Sequence, residues 1–171
     1  ATGSVDGIDN IQGMTFGAND TLYVAQGGTD NGEIYTASVP SDVTSGPLGL
    51  AYDPNATELY ILLDGQGSAD DNVIVVNESI VTTSPAIVRS FKVGSANANS
   101  ITFMDDELFV GLEMEGNCFN CGGNYAISVF EASGADAGHL IRSFEMWSIG
   151  SSPTGMTNNG ENLLIVQQQA F

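Results

Sequence analysis

Pro47-Leu48-Gly49-Leu50-Ala51-Tyr52-Asp53-Pro54-Asn55-Ala56-Thr57-Glu58-Leu59-Tyr60-Ile61-Leu62-Leu63 reads as two short apolar runs on either side of a polar turn, the pattern of a tight β-hairpin. The chain writes this outline four times. The first copy is Gly13-Met14-Thr15-Phe16, then Asn19-Asp20, then Leu22-Tyr23-Val24. The third is Ser100-Ile101-Thr102-Phe103, then Asp105-Asp106, then Leu108-Phe109-Val110. The last is Gly155-Met156-Thr157, then Asn159-Gly160, then Leu163-Leu164-Ile165. A unit that returns every few tens of residues marks a repeat architecture, because each small unit must bury its apolar faces against its neighbours.

Outward from the hairpin, the second copy continues through the loop Asp64 to Asn72 into a third strand, Val73 to Asn77, and a fourth, Ala86 to Val93. The third copy follows the same order: strands near Ser100 to Met104 and Glu107 to Leu112, a long loop to Asn124, then Tyr125 to Glu131 and Leu140 to Met146. Both fourth strands carry Arg-Ser-Phe, at Arg89-Ser90-Phe91 and Arg142-Ser143-Phe144, which points to internal duplication. The copies begin near 13, 49, 100 and 155, so residues 1–12 form an extended lead-in and residues 13–171 one repeat domain. Val, Ile, Thr, Phe and Tyr dominate the apolar positions and no segment sustains a helical period, so the chain is all-β. The first copy has no convincing fourth strand, and the last stops after its second strand, Leu163 to Gln168.

Units that open on Gly-[Leu/Met]-x-[Phe/Tyr], turn on Asp or Asn and continue as Leu-Tyr-Val resemble the blades of NHL-like and YVTN-like β-propellers; Gly49 to Ile61 is the best match. The resemblance implies a β-propeller-like array of about four antiparallel blades with incomplete terminal blades, where propeller rings usually hold roughly 4 to 8. It implies little about activity, since such folds serve binding, hydrolysis, lyase chemistry and pure structure. An incomplete blade leaves backbone edges open to a strand from another chain, and a head-to-tail contact of that kind closes a ring or grows a filament. The other explanation of the open ends is a partial chain of a larger propeller.

The 171 residues hold 3 basic and 21 acidic side chains, for a net charge of −18. That field repels phosphate backbones and anionic lipid, so nucleic acid is excluded as a partner. No stretch reaches the roughly 18 apolar residues of a spanning helix. Lys92 is the one lysine, and the surface must be largely Ser, Thr, Asn, Gln and Gly, a composition associated with extracellular or cell-surface proteins. A chain opening on Ala1-Thr2-Gly3-Ser4 is compatible with removal of a leader peptide.

Chemistry-bearing residues are few. His139, the one histidine, sits in a loop, where a solvated side chain is the ordinary outcome, and no Gly-x-Ser-x-Gly elbow occurs. Cys118-Phe-Asn-Cys121 admits a loop-closing disulfide, half of a zinc site or a redox pair. The chain offers no second pair to complete a zinc site, and the Gly-Gly-Asn that follows reads as a turn rather than a helix start, so the disulfide is preferred, with inert reduced thiols as the plain alternative. Asp64, Asp70, Asp71 and Asn72 form the densest acidic loop, a possible calcium wrap of hard oxygen ligands or simply a solvated turn. Asp30 and Glu33, and Glu113 and Glu115, occupy the corresponding loops of copies one and three. In propeller geometry these loops share a face, so the residues would gather into an acidic ligand rim. Asn19, Asn55 and Asn77 open N-x-[Ser/Thr] sequons and are glycosylation candidates.

These features point to a secreted or cell-surface structural and interaction module without catalytic activity, whose partner is itself or a larger surface assembly. The competing class is a calcium-dependent, lactonase-like propeller hydrolase or lyase. Such an enzyme draws metal ligands from the starts of several inner strands, where this chain offers Asn10, Asn97, Asn99 and Asn158 but few carboxylates.

Overall fold

The computed structural model describes residues 11–18, 21–26, 33–35, 46–65, 71–77, 87–94, 97–114, 124–146 and 153–167. These residues form four antiparallel sheets. The first is β1 (Ile11–Phe16), β2 (Leu22–Gln26) and β3 (Glu33–Tyr35). The second is β4 (Pro47–Asp53), β5 (Glu58–Leu63), β6 (Asn72–Asn77) and β7 (Ile87–Lys92). The third is β8 (Ala98–Met104), β9 (Glu107–Met114), β10 (Asn124–Glu131) and β11 (Leu140–Glu145), and the fourth is β12 (Pro153–Asn158) with β13 (Leu163–Gln167). In every sheet the strands pair in chain order, as the hairpin repeat requires.

The duplication extends to irregularities. Each inner strand has a register shift before its repeat position, at Ile11/Gly13, Pro47/Gly49, Ala98/Ser100 and Pro153/Gly155. A bulge at one place in four sheets is a feature of the unit. It also lengthens the inner strands toward their N-termini, so β1 starts at Ile11, inside the expected lead-in; residues 1–10 lie outside the described residues.

The hairpin turns follow from their residues. Asp105 and Asp106 both have positive φ, 54° and 61°, as a two-residue turn twisting with its strands demands, and Asp tolerates that region better than most residues. Asp53 Oδ1 accepts the N–H groups of Asn55 at 2.7 Å and Ala56 at 3.2 Å, closing the β4–β5 turn. Asn159 Oδ1 does the same for Glu161 and Asn162 in the β12–β13 turn.

The sheets stack face to face, with β1, β4, β8 and β12 side by side as the inner row. Alternation within each strand then sends successive side chains into two different interfaces. Leu59, Ile61 and Leu63 of β5 meet Tyr23 and Ala25 of the first sheet. Tyr60 and Leu62 of the same strand meet Ile101, Leu108 and Val110 of the third. Phe109, Ile127 and Val129 on the far face of the third sheet meet Met156, Leu163 and Ile165 of the fourth. Because the second and third sheets are covered on both faces, β5 is buried throughout and apolar from Leu59 to Leu63. The result is an all-β, propeller-like array of stacked blades.

Candidate protein-interaction surfaces

The repeat makes it possible to say what each position does inside the stack and then to ask whether the end sheets do the same. Met14, Leu50, Ile101 and Met156 are equivalent, each the residue after the repeat Gly or Ser. Leu50, Ile101 and Met156 all pack on the preceding sheet. Met14 has no preceding sheet among the described residues: it is 59% exposed, and Phe16 on the same face is 66% exposed. Leu22, equivalent to the fully buried Leu59 and Leu108, is exposed beside them.

The opposite end shows the complement. Leu164 is equivalent to Tyr23, Tyr60 and Phe109, which all pack on the following sheet. With no following sheet among the described residues, Leu164 is exposed and its neighbour Val166 is 63% exposed. Glycine spacing agrees. A Cβ on Gly13 would lie 2.8 Å from Gly49 Cα, and one on Gly49 would lie 3.0 Å from Ile101 Cγ2, so the repeat glycine lets one inner strand approach the next. Gly155 holds that position in the last sheet, where an added Cβ would meet only Val166 of its own hairpin. Among the described residues the two ends therefore present the two halves of the blade-to-blade interface, open at Met14, Phe16 and Leu22 on one side and at Leu164 and Val166 on the other, while Val24, paired opposite Met14, is buried.

A second feature is a polar latch between the second and third sheets. Arg89 on β7 donates Nη1–H to Glu58 Oε1 at 2.9 Å and Nη2–H to Glu58 Oε2 at 2.5 Å. The same guanidinium reaches the Tyr60 hydroxyl at 2.9 Å and the carbonyl of Ala132, just beyond β10, at 2.8 Å. Burial works against the arginine's charge, but the Glu58 hydrogen bonds outweigh it and its pKa is raised. Burial also pushes the Tyr60 hydroxyl well above the usual phenol range, against the opposing pull of Arg89. Folded Tyr60 thus keeps its proton where an unfolded tyrosine loses it. Its contribution is whole below about pH 10 and is lost as pH rises from there toward the folded value. Urea melts of the wild type should lose stability above about pH 10 more steeply than those of Tyr60→Phe; parallel pH profiles would refute the assignment.

The Arg-Ser-Phe pair, legible in sequence only as a sign of duplication, is this latch. In the third sheet Arg142 pairs in the same bidentate way with Glu107, at 2.6 Å for Nη1 to Oε1, and that hydrogen bond raises its pKa. Phe91 is covered by Phe130 at 5.9 Å between ring centroids and by the backbone of Gly138. Phe144, its equivalent, is 48% exposed with the Arg142 guanidinium 5.6 Å from its ring centroid.

The acidic residues singled out by sequence are distributed differently. Asp71 is 1% exposed; its Oδ1 accepts Gly65 N–H at 2.7 Å and its Oδ2 accepts Ala98 N–H at 2.6 Å. It thus ties the β5–β6 loop to the inner strand of the next sheet. Asp64 is exposed just after β5, Asn72 opens β6, and Asp70 lies outside the described residues. Glu33 opens β3 and Glu113 lies in β9, opposite Tyr125, while Asp30 and Glu115 lie outside the described residues. Cys118 and Cys121 lie outside them as well, as does Asn19. Asn55 is exposed in its turn, whereas Asn77 ends β6 half-buried opposite Glu58. Among the described residues no three His, Cys, Asp or Glu side chains converge as a metal site would need. His139 is exposed, 3.6 Å from Asp136.

One expectation is corrected. The sequence pattern puts Asn158 with residues at the starts of the inner strands, whereas in the structure it is the last residue of β12, at the hairpin-turn end. There its Nδ2 donates to Phe103 O at 2.8 Å and Thr102 Oγ1 at 3.1 Å, tying the fourth sheet to the third. Its number counts from a repeat start that lies two residues inside the strand, which hides the end it occupies. Asn158 lines an open cleft of about 520 Å³ where the hairpin turns converge, with Phe16, Tyr52, Asn55, Phe103 and Asp106. This places the turns at one end of the stack, so the C-terminal ends of β2, β5 and β9 lie at the other.

Antiparallel sheets of up to four strands, stacked along a shared inner row, define the class: a β-propeller-like fold. Among solved structures the chain is similar to one in the crystal structure of a nidogen/laminin complex, a structure containing a β-propeller, with a TM-score of 0.59 and 17% identity. The likeness covers 92% of this chain and 56% of the other, so this chain spans about half the length of the one it matches. No family model matches the sequence, and no curated protein does. No helix among the described residues is long and apolar enough to cross a membrane.

Proposed function

We propose that this chain is a non-catalytic structural and interaction module, extracellular or at a cell surface, that assembles with further copies through its two open end faces. The observation that carries the reading is positional. Met14, Phe16 and Leu22 at one end, and Leu164 and Val166 at the other, are exposed at repeat positions that are packed between sheets inside the arc. Apolar side chains of matching repeat position on opposite ends make a heterologous contact, which closes into a ring or extends into a filament according to the angle between copies. The fold shared with a chain of a nidogen/laminin complex supports protein interaction as the kind of role, and the repeat motif resembles NHL- and YVTN-like blades.

Sedimentation of the full chain over a range of concentrations tests the reading. Association that rises with concentration, and rises further with salt as the repulsion of −18 charges is screened, is the expected result. A chain that stays monomeric at all concentrations and salts refutes it. An oxidising compartment carries its own expectation, the Cys118–Cys121 disulfide. Intact mass of natively secreted material should fall two hydrogens below the reduced chain; two free thiols would argue against that location.

A further inference from the structure

The third sheet carries the same latch as the second, but among the described residues half of its cover is present, and the second sheet shows what the other half looks like. Around Arg89 and Phe91 the latch is complete because the neighbouring sheet has a third strand, β10. That strand brings Phe130 onto Phe91 and leads into Ala132, whose carbonyl accepts from Arg89. Around Arg142 and Phe144 the neighbouring sheet comprises β12 and β13 among the described residues. The far edge of β13 has no strand partner among the described residues, and Phe144 beside it is open. The gap is also continuous with a formed interface, since Leu163 and Ile165 of β13 already pack on Ile127 and Val129 next to it.

From this repeat we propose that the edge of β13, with the Arg142–Phe144 platform behind it, is a strand-addition site for an extended segment of a partner protein. The segment pairs antiparallel with β13 as the third strand of the fourth sheet. Main-chain hydrogen bonds to the edge supply affinity, and alternate side chains supply selectivity. The segment's chemistry is set by the filled copy: apolar residues on the side facing Val129, a large aromatic ring to cover Phe144, and a backbone carbonyl near its end to accept from Arg142. The aromatic gains both ring contact and exclusion of water from the Arg142–Glu107 pair. An open edge next to an uncovered aromatic is an aggregation hazard unless something occupies it. This site rests on the reading of the chain as an interaction module and gives that module a defined peptide ligand.

The probe is a synthetic peptide reproducing residues 124–132, Asn-Tyr-Ala-Ile-Ser-Val-Phe-Glu-Ala, titrated by calorimetry into the full chain. Saturable 1:1 binding is expected, with hydrogen-exchange protection appearing at 163–167. Phe144→Ala, Arg142→Gln and replacement of the peptide's phenylalanine by alanine should each weaken it, the aromatic changes by roughly five- to tenfold. Both protein positions are solvent-exposed, so the variants should melt with the parent; circular dichroism checks this, and Phe144→Leu supplies a milder second variant. Absence of saturable binding, or binding indifferent to all these substitutions, overturns the proposal. So does a failure of the peptide to bind while Phe144→Ala abolishes self-association, which would assign the platform to sheet-on-sheet docking. If the peptide binds but the chain never self-associates, the strand site stands and the end-face assembly falls.

Discussion

Tyr60→Ala should lower the stability of the chain by about 3–5 kcal/mol, the range for deleting a fully buried aromatic ring. Tyr60 is on a strand of the second sheet, and its side chain packs against the third. Its ring stacks on Phe103 at 5.9 Å between centroids, and its hydroxyl donates to Ala132 O at 3.1 Å. It also accepts from Arg89 and lies under the same guanidinium. The substitution removes the ring that fills the interface and the acceptor that helps hold Arg89 over Glu58. Tyr60→Phe keeps the ring and should cost only about 1 kcal/mol, the net worth of one hydrogen bond. Urea unfolding followed by fluorescence measures both. If alanine costs no more than phenylalanine, the two sheets are not joined by the packing described here.

Phe16→Asp with Met14→Asp should abolish self-association without lowering the melting temperature. Each carboxylate would have to be desolvated inside the contact, a cost far larger than any one apolar contact returns. The folded monomer is spared because both side chains face solvent. Val166→Asp at the other end should have the same effect, since a head-to-tail contact uses both faces. Mixing the two variants should restore a single junction and stop at dimers, because each retains one intact face. Sedimentation reads all of these outcomes. Variants that assemble like the parent would show that other surfaces hold the copies together. The high-salt arm separates this contact from charge-driven assembly, which salt weakens.

Most of the fold was legible in the residues because the repeat states each instruction several times. Short apolar runs such as Leu59 to Leu63 name strands, Asp-Asp and Asp-Pro-Asn name turns, and the recurrence of both names stacked units. What the sequence could not separate was the fate of equivalent residues. Leu22 and Leu59 occupy the same slot in the same motif, and only their place in the stack leaves one exposed and the other sealed. Burial depends on what lies on the other side, which no local pattern encodes.

The same holds for the charged residues. Asp71 was read as a loop carboxylate available to an ion, whereas both its oxygens accept backbone N–H groups from segments distant in the chain. Arg-Ser-Phe was legible as a repeated tripeptide, but its meaning lies in Glu58 and Ala132, which approach Arg89 only once two sheets have packed. By itself, then, the sequence determined the strands, their order, the hairpin turns and the number of sheets, all of which rest on interactions between near neighbours. The tertiary structure decided which faces are sealed, which latch is complete and which end is open, since those depend on contacts that come into being only when one sheet lies against the next.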